Sequence, residues 1–226
     1  KSEYNNLIKT NNMKNKIISL LLALGLSNAA LANSARIGYT SDFFYRGEQK
    51  ALESIQASVD LEQSIAGLNA SLHACTNQSV DTGVDSYGFA AGVGQSFADG
   101  LFSLYGGFNH FEDVAGDALS EIAIKASFNT IANPTLSVYR NVDDELYTVE
   151  GSISHSIELS VADLGLSASA GNTDVTESTD RSYYGLGANL SRSVGEGATL
   201  SASVDLVDAE DIDREFVFGT ALVFEF

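Results

Sequence analysis

The residues of this chain that could do covalent chemistry are three histidines and one cysteine, together with the serines near them. Ser154-His155-Ser156 comes closest to a nucleophile beside a base, but adjacent residues of a strand point to opposite faces, so neither hydroxyl lies beside the imidazole. The lone Cys75 excludes a disulfide within the chain and a thiolate zinc cluster. We therefore predict no enzymatic activity. A hydrolase is an alternative that needs a serine or aspartate within hydrogen-bond reach of His73 or His155.

Acidic side chains dominate the charged residues, with 30 Asp and Glu against 12 Lys and Arg and a formal net charge of -18. An acidic protein repels phosphate groups, so we predict no nucleic-acid partner. The acidic run at 208–213 offers oxygen ligands that suit Ca²⁺, yet the spacing of EF-hand loops is absent. Gly-x-Gly pairs at 92–94 and 185–187 lie inside strand-like segments with no helix after them, so they are not phosphate loops. We predict no metal and no cofactor.

The chain after Met13 has the three parts of a secretory signal peptide. A start with two lysines is followed by an apolar run at 17–26 and by the small-x-small sequence Ala30-Leu31-Ala32. The apolar run is shorter than the ~20 residues that span a bilayer as a helix. Residues upstream of the methionine fit no signal pattern. The predicted segments are a non-native N-terminal extension at 1–12, a signal peptide at 13–32 and a mature domain at 33–226.

Past the signal, stretches of about ten residues alternate between apolar and polar side chains, as the strands of membrane barrels do, and a polar or glycine-containing break closes each. The last stretch, Arg214–Phe226, resembles the closing strand of outer-membrane barrels, in which terminal aromatic residues, here Phe224 and Phe226, form the barrel-insertion signal. Taken alone, it also suits an edge or core strand of a soluble sandwich. The predicted strands are 36–46, 52–64, 67–76, 86–97, 101–111, 119–129, 135–142, 146–158, 164–172, 182–194, 199–207 and 214–226.

One face of these strands is apolar, and the other carries Gly, Ser, Asn and charged residues. Charged side chains are rare on an enclosed face of a soluble protein but suit a water-filled interior, so we predict that the apolar face contacts lipid. Short breaks alternate with longer acidic ones, as expected for short turns at one rim and longer loops at the other. The predicted fold is all-β, an antiparallel up-and-down transmembrane β-barrel of twelve strands.

Two stretches of the chain also carry a resemblance to a known family. The first is Ser41-Asp42-Phe43-Phe44-Tyr45-Arg46-Gly47, and the second is V-Y-R-N-V-D at 138–143 followed by Y-T-V-E-G-S-I-S-H-S at 147–156. They are similar to the opening S-D-Y-x-F-R-G and the later Y-x-D-x-D and Y-x-E-x-x-x-S-H-S motifs of the TorF-type family of outer-membrane porins. Asn141 stands where that family often has Asp. The resemblance implies a porin-like barrel in the bacterial outer membrane.

Charged residues on the polar face are predicted to line the lumen and to set its selectivity. If Phe43 and Tyr45 face lipid in the interfacial aromatic belt, Asp42 and Arg46 face the lumen from one strand. They are then roughly 13 Å apart, so each is expected to pair with a neighbouring strand. The lumenal candidates are Asp42, Arg46, Asp60, Glu62, Glu121, Lys125, Glu150 and Asp205.

The small Gly, Ser and Ala residues of the polar face favour a narrow water-filled path, because twelve strands lie between a filled and an openly aqueous barrel. Excess acid is expected to favour cations. We predict a passive, weakly cation-preferring channel for ions or small polar solutes. Its expected partners are outer-membrane lipid, lipopolysaccharide and the barrel-assembly machinery. The alternative is a closed barrel that serves as a surface scaffold, adhesin or receptor.

Overall fold

The computed structural model describes residues 32–80, 85–113, 118–176, 178–210 and 212–226. The predicted extension at 1–12 and the predicted signal peptide up to residue 31 lie outside the described residues. Within the described part of the chain, no helix is long and apolar enough to cross a membrane. Every regular element there is a β-strand.

Twelve strands form a closed antiparallel barrel, as predicted. Each strand of the barrel pairs with the barrel strands before and after it in the chain, and the last closes the ring on the first. Two short strands, β2 (Phe43–Tyr45) and β3 (Glu48–Ala51), form a separate hairpin between the first and second strands of the barrel. The barrel strands are β1 (Ala32–Thr40), β4 (Ser54–Ile65), β5 (Leu68–Ser79), β6 (Ser86–Phe97), β7 (Phe102–Asp113), β8 (Ala118–Phe128), β9 (Thr135–Asn141), β10 (Tyr147–Glu158), β11 (Asp163–Thr176), β12 (Thr179–Gly195), β13 (Ala198–Ala209) and β14 (Ile212–Glu225).

Closure joins the two ends of the barrel domain. Ser34 pairs with Glu225, and Tyr39 pairs with Thr220 five pairs further along the same register. The Phe226 amide also donates to the carbonyl of Asn33 at 3.1 Å. Since β1 begins where β14 ends, both chain ends of the barrel lie at one rim, which we call the terminal rim. The opposite rim is the distal rim.

The faces of the strands follow the predicted apolar-out, polar-in pattern. On β14, Phe216 and Phe218 are 59% and 58% exposed, whereas Val217 and Ala221 on the other face are buried. The ring of described wall strands has no free edge, so strand–strand hydrogen bonds satisfy the backbone polar groups without water where these strands pair. Exposed apolar side chains on other strands include Ile37, Ile55, Val93, Ile122, Ile124, Leu136, Ile153, Leu186 and Leu200. This outer surface suits the hydrocarbon region of a bilayer.

The predicted sorting of breaks into short and long ones is only partly right. Several segments interpreted as long acidic loops are extensions of strands, so that β11 and β12 approach within the short connection 177–178 and β13 and β14 within 210–211. The turn at 129–134, at the terminal rim, is longer than either. Backbone hydrogen bonds between the paired strands continue beyond the residues at which the apolar alternation ends. Sequence periodicity alone therefore underestimates the length of these strands.

Tyrosine rings on the inner face lie flat over glycines. A Cβ added to Gly107 would stand 2.5 Å from the Tyr105 hydroxyl oxygen and 2.8 Å from the carbonyl oxygen of Ala91, whereas one added to Gly106 meets nothing within 4 Å. The inner glycines therefore give room to aromatic rings as well as to water, which corrects the expectation that they only widen the path.

The two neighbouring glycines supply a matched test of this packing. We expect Gly107→Ala to lower the free energy of unfolding by about 1–3 kcal/mol, the usual cost of overpacking, because Tyr105 must leave its place. Gly106→Ala should leave the stability unchanged or slightly higher, since that position is open. Denaturant midpoints of the two variants in detergent check the difference, and equal midpoints would contradict it.

Candidate functional site: a hairpin across the lumen

The hairpin of β2 and β3 begins where the predicted first strand fails to continue. β1 ends at Thr40, the Ser41 amide donates to the Phe218 carbonyl at 2.8 Å, and the chain then turns away from the wall. Tyr45 pairs with Glu48 around the two-residue turn Arg46-Gly47. Positive φ values of 52° and 76° at Arg46 and Gly47 match a type I′ turn, the commonest tight connection of a hairpin.

This hairpin reaches across the lumen. Its roots are β1 and β4, which are neighbours in the ring, and its tip contacts β8, β9 and β10. β9 stands six strands from β1 in either direction around the ring, so the tip docks on the opposite wall. The prediction that Asp42 and Arg46 share one transmembrane strand is therefore wrong.

Arg46 makes the contacts that hold the tip. Its guanidinium binds both carboxylate oxygens of Glu121, with Nη1 donating to Oε1 and Nη2 donating to Oε2 at 2.7 Å. The same group lies 3.9 Å from the Tyr139 ring centroid and 4.8 Å from that of Tyr45. Only 11% of the Arg46 side chain and 4% of the Glu121 side chain are exposed. Bidentate hydrogen bonds between a guanidinium and a carboxylate are among the strong hydrogen bonds of proteins, and the aromatic rings add cation–π contacts.

Arg46 and Tyr45 of the hairpin both stay in the protonated form that donates hydrogen bonds to Glu121. Burial alone would lower the pKa of Arg46, but its hydrogen bonds to Glu121 raise the pKa above its ordinary value. Burial also raises the pKa of Tyr45, so its phenol stays protonated and donates to Oε2 of Glu121 at 3.2 Å. Arg46 therefore stays charged and Tyr45 stays a donor, in a contact that is almost closed to solvent.

Aromatic and small residues complete the seat of the hairpin. The Tyr45 ring stacks on Phe111 at 5.6 Å with an interplanar angle of 6°, and Phe43 lies 6.3 Å from the same ring. Phe43 and Tyr45 thus contact the inside of the barrel, which overturns their predicted place in the interfacial belt. A Cβ on Gly47 would lie 2.7 Å from the Cβ of Tyr183, so only glycine fits the docked tip.

Most buried side chains of the barrel surround this hairpin in the distal half. There, the lumen is packed as a small core, while inward residues near the terminal rim, such as Glu62, stay exposed. The buried inward residues of the barrel wall include Ser54, Asn77, Ser86, Glu121, Ala123, Thr148, Tyr183 and Ala209. The lumen is therefore constricted at one end and open at the other.

Of the predicted lumenal residues, only Arg46 and Glu121 are brought together. Asp42 stays in its own loop, where Ser41 and Gln49 donate to its carboxylate. Lys125 lies between the Tyr105 and Tyr139 rings, with its ammonium 5.6 and 5.7 Å from their centroids.

Three more of the predicted lumenal carboxylates, Glu150, Asp205 and Asp60, contact the wall, whereas Glu62 stays exposed. Tyr183 donates to Glu150 at 2.8 Å. The carboxylate of Asp205 lies over Gly187, next to the Ser167 hydroxyl. Asp60 lies 2.6 Å from Nδ1 of His73, its direct partner across β4 and β5. Selectivity roles for these residues stay predictions.

Three important inner residues escaped the sequence prediction, namely Arg36, Tyr139 and Tyr183. Arg36 has the same parity as Asp42 and Arg46 on the predicted first strand, so that parity could have located it. In the sequence, Tyr139 and Tyr183 look like the aromatic residues of the membrane interface. Only their contacts with the hairpin in the structure show that they belong to the lumen.

The Asp60–His73 pair bears on the hydrolase alternative, because it meets the condition of an aspartate within hydrogen-bond reach of His73. His155 instead lies on the outer face, where its Nδ1 is 2.7 Å from the carbonyl oxygen of Ile131. Both members of the inner pair are substantially exposed, at 40% and 48% of their side chains. An orienting aspartate alone supplies no nucleophile, so the pair by itself defines no catalytic site.

A closed antiparallel ring of twelve strands, apolar outside and polar inside, is the fold of bacterial outer-membrane β-barrels. The chain is similar to an outer membrane channel from Pseudomonas putida F1, with a TM-score of 0.61, 10% identity and coverage of 88% of this chain and 97% of that one. It is also similar to the KdgM porin, with a TM-score of 0.56, 13% identity and coverage of 85% and 99%.

A third similar structure is the NanC porin, with a TM-score of 0.57, 12% identity and coverage of 86% of this chain and 100% of that one. A further structure holds the KdgM porin in complex with disordered oligogalacturonate. No family model and no curated protein sequence matches the chain. The fold and the apolar outer surface indicate a location in the bacterial outer membrane.

Proposed function

We propose that this protein is a porin-like channel for passive diffusion of ions or small polar solutes, and that the hairpin of β2 and β3 restricts the path. The observation that carries the proposal is a polar lumen open at one rim and constricted at the other by a hairpin whose tip is held by the buried pair of Arg46 and Glu121. A closed wall needs no such inserted element for its own hydrogen bonding. The hairpin acts on the lumen.

Porin-like neighbours with the same fold support this proposal. The oligogalacturonate complex of KdgM supports polar solutes as the class of ligand for a barrel of this kind. The finer assignment to the TorF-type family rests on the two motifs described above. Its opening motif supplies the hairpin tip, so its Arg-Gly pair has a structural role here. Lipopolysaccharide and the barrel-assembly machinery, which would read Phe224 and Phe226, are proposed partners.

Conductance of purified protein in planar bilayers tests the proposal. We expect current steps from the native chain and larger steps when the hairpin is released. A barrel that inserts but carries no current in either form would contradict a channel. That outcome favours the second candidate, a closed barrel acting as a surface scaffold or receptor, which the inward aromatic rings and the bridging Arg46 also support.

We also propose a weak cation preference, now carried by fewer residues than predicted. Arg46 neutralises the charge of Glu121, so the negative potential that attracts cations must come from carboxylates in the open half of the lumen. Asp60 and Glu62 on β4 are the carboxylates that we propose for this role. Reversing both charges to lysine should move the reversal potential in a salt gradient toward the anion-selective side. Glu145→Lys, in an exposed loop, is the matched control. Unchanged reversal potentials would show that Asp60 and Glu62 do not face the path.

A further inference from the structure

A cavity of about 210 Å³ lies beside the hairpin, against the wall of β4, β5 and β6. Phe43 of the hairpin forms part of its lining, together with Arg36, Gln56, His73, Cys75 and Asn77. No aspartate or glutamate is found among its described lining residues. This is unexpected in a chain with 30 acidic and 12 basic residues. The described lining carries the positive charge of Arg36 and no carboxylate of its own, and Asp60 borders it through His73.

Arg36 is the source of that charge. It points inward, since its direct cross-strand partners are Ser58 and Val223 on the inner face. Within the described parts of the chain it forms no ion pair, whereas Arg46, Lys50 and Arg181 each have a carboxylate partner. The five donors of a guanidinium remain unused at Arg36, and their fork matches the two oxygens of a carboxylate.

Neutral donors lie beside this cation. Gln56 donates weakly to Oδ1 of Asn77 at 3.4 Å. Asn77 is only 5% exposed, and its Nδ2 has no hydrogen-bond partner among the residues that the structure describes. The Ser86 hydroxyl is likewise buried and unpartnered. Both residues line the cavity. His73 is held in place through Nδ1 by Asp60, so the imidazole forms a fixed wall.

We propose that this cavity binds a small solute through a carboxylate held by Arg36, with the amide groups of Gln56 and Asn77 beside it. The site would retain carboxylate-bearing solutes at the constriction made by the hairpin. This inference rests on the proposed channel, because the cavity borders the solute path. Bulk ion preference is a separate property, set by carboxylates elsewhere in the lumen.

Cys75, the single cysteine of the chain, is a built-in reporter for the site because it lines the same cavity. We would measure its alkylation rate by neutral iodoacetamide in detergent-purified protein, with and without an excess of glutarate. Glutarate should slow the reaction in the native chain and in Arg36→Lys, but not in Arg36→Gln. Lys125→Gln removes an inner cation on β8, five strands from Arg36 around the ring and outside the cavity lining, and should keep the protection.

Charged thiol reagents give a second readout that needs no added solute. We would measure the ratio of the rates at which an anionic and a cationic methanethiosulfonate modify Cys75. Arg36→Gln should lower this ratio by about tenfold, because the variant removes one nearby positive charge in a medium of protein-like dielectric. Cys75→Ser defines the background. Retained heat-modifiable gel mobility of each variant shows that the barrel is folded.

Several results would overturn the site. Equal protection in Arg36→Gln, protection by inorganic phosphate but not by glutarate, or a thiol that no reagent reaches each contradicts it. The outcome is independent of conductance: a protected Cys75 in a barrel that carries no current would refute the channel and leave the carboxylate site standing.

Discussion

Replacing Glu121 by glutamine should release the hairpin and open the barrel. Arg46 would then be left buried without a counter-charge, which costs about 3–5 kcal/mol in the docked state. Since each 1.4 kcal/mol changes a population tenfold, the undocked form should gain about a hundredfold or more. Single-channel recordings of Glu121→Gln should therefore show a larger conductance state, present for a greater share of the time than in the native chain.

Two further variants make this result specific to the pair. Asp205→Asn removes an equal charge from the inner wall away from the hairpin and should conduct like the native protein. The double variant Arg46→Gln with Glu121→Gln relieves the unpaired charge, so it should be less open than Glu121→Gln alone. A conductance of Glu121→Gln equal to that of Asp205→Asn would mean that the hairpin does not limit the current.

An arginine on the outer face should destabilise the barrel far more than one on the inner face at the same depth. Ile153 is 49% exposed on the outside of β10, while its neighbour Ser152 points inward opposite Ser169. Arginine on the lipid face near the bilayer midplane costs about 2–4 kcal/mol. We expect that loss for Ile153→Arg and little change for Ser152→Arg, because its charge stays in the hydrated lumen.

Folding into phospholipid vesicles measures this difference. Heat-modifiable gel mobility reports the folded fraction, and urea titration in the vesicles gives the free energy of unfolding. The two variants share strand, depth and new side chain, so only the face differs. Similar losses for both would show that the outer surface of β10 is not in lipid.

The number of strands, their antiparallel order and the direction of their faces follow from local pattern. A period of two assigns each residue to a face wherever one side meets lipid and the other meets water. Phe216 and Phe218 could be placed outside on that basis alone, and they are exposed there. Where strand ends were misjudged, as at 177–178, the residues of the wall still keep their predicted faces; Phe43 and Tyr45, which leave the wall, do not.

The first strand shows what the alternating pattern of the sequence cannot predict. Phe43 and Tyr45 continue the alternation of Ile37 and Tyr39, so parity extends β1 as far as Arg46. In the structure the chain leaves the wall after Thr40, because a type I′ turn at Arg46-Gly47 lets the segment fold back on itself as a hairpin. A hairpin in the lumen and a strand in the wall have the same sequence periodicity.

The sequence by itself thus determines a membrane barrel with an acidic lumen, since alternation and charge are properties of neighbouring residues. Tertiary structure alone decides that Arg46 meets Glu121, which lies 75 residues away on the opposite wall. Both charges were placed on the inner face, but pairing them requires the diameter of the closed ring and the length of the hairpin. That contact holds the hairpin across the lumen in this structure.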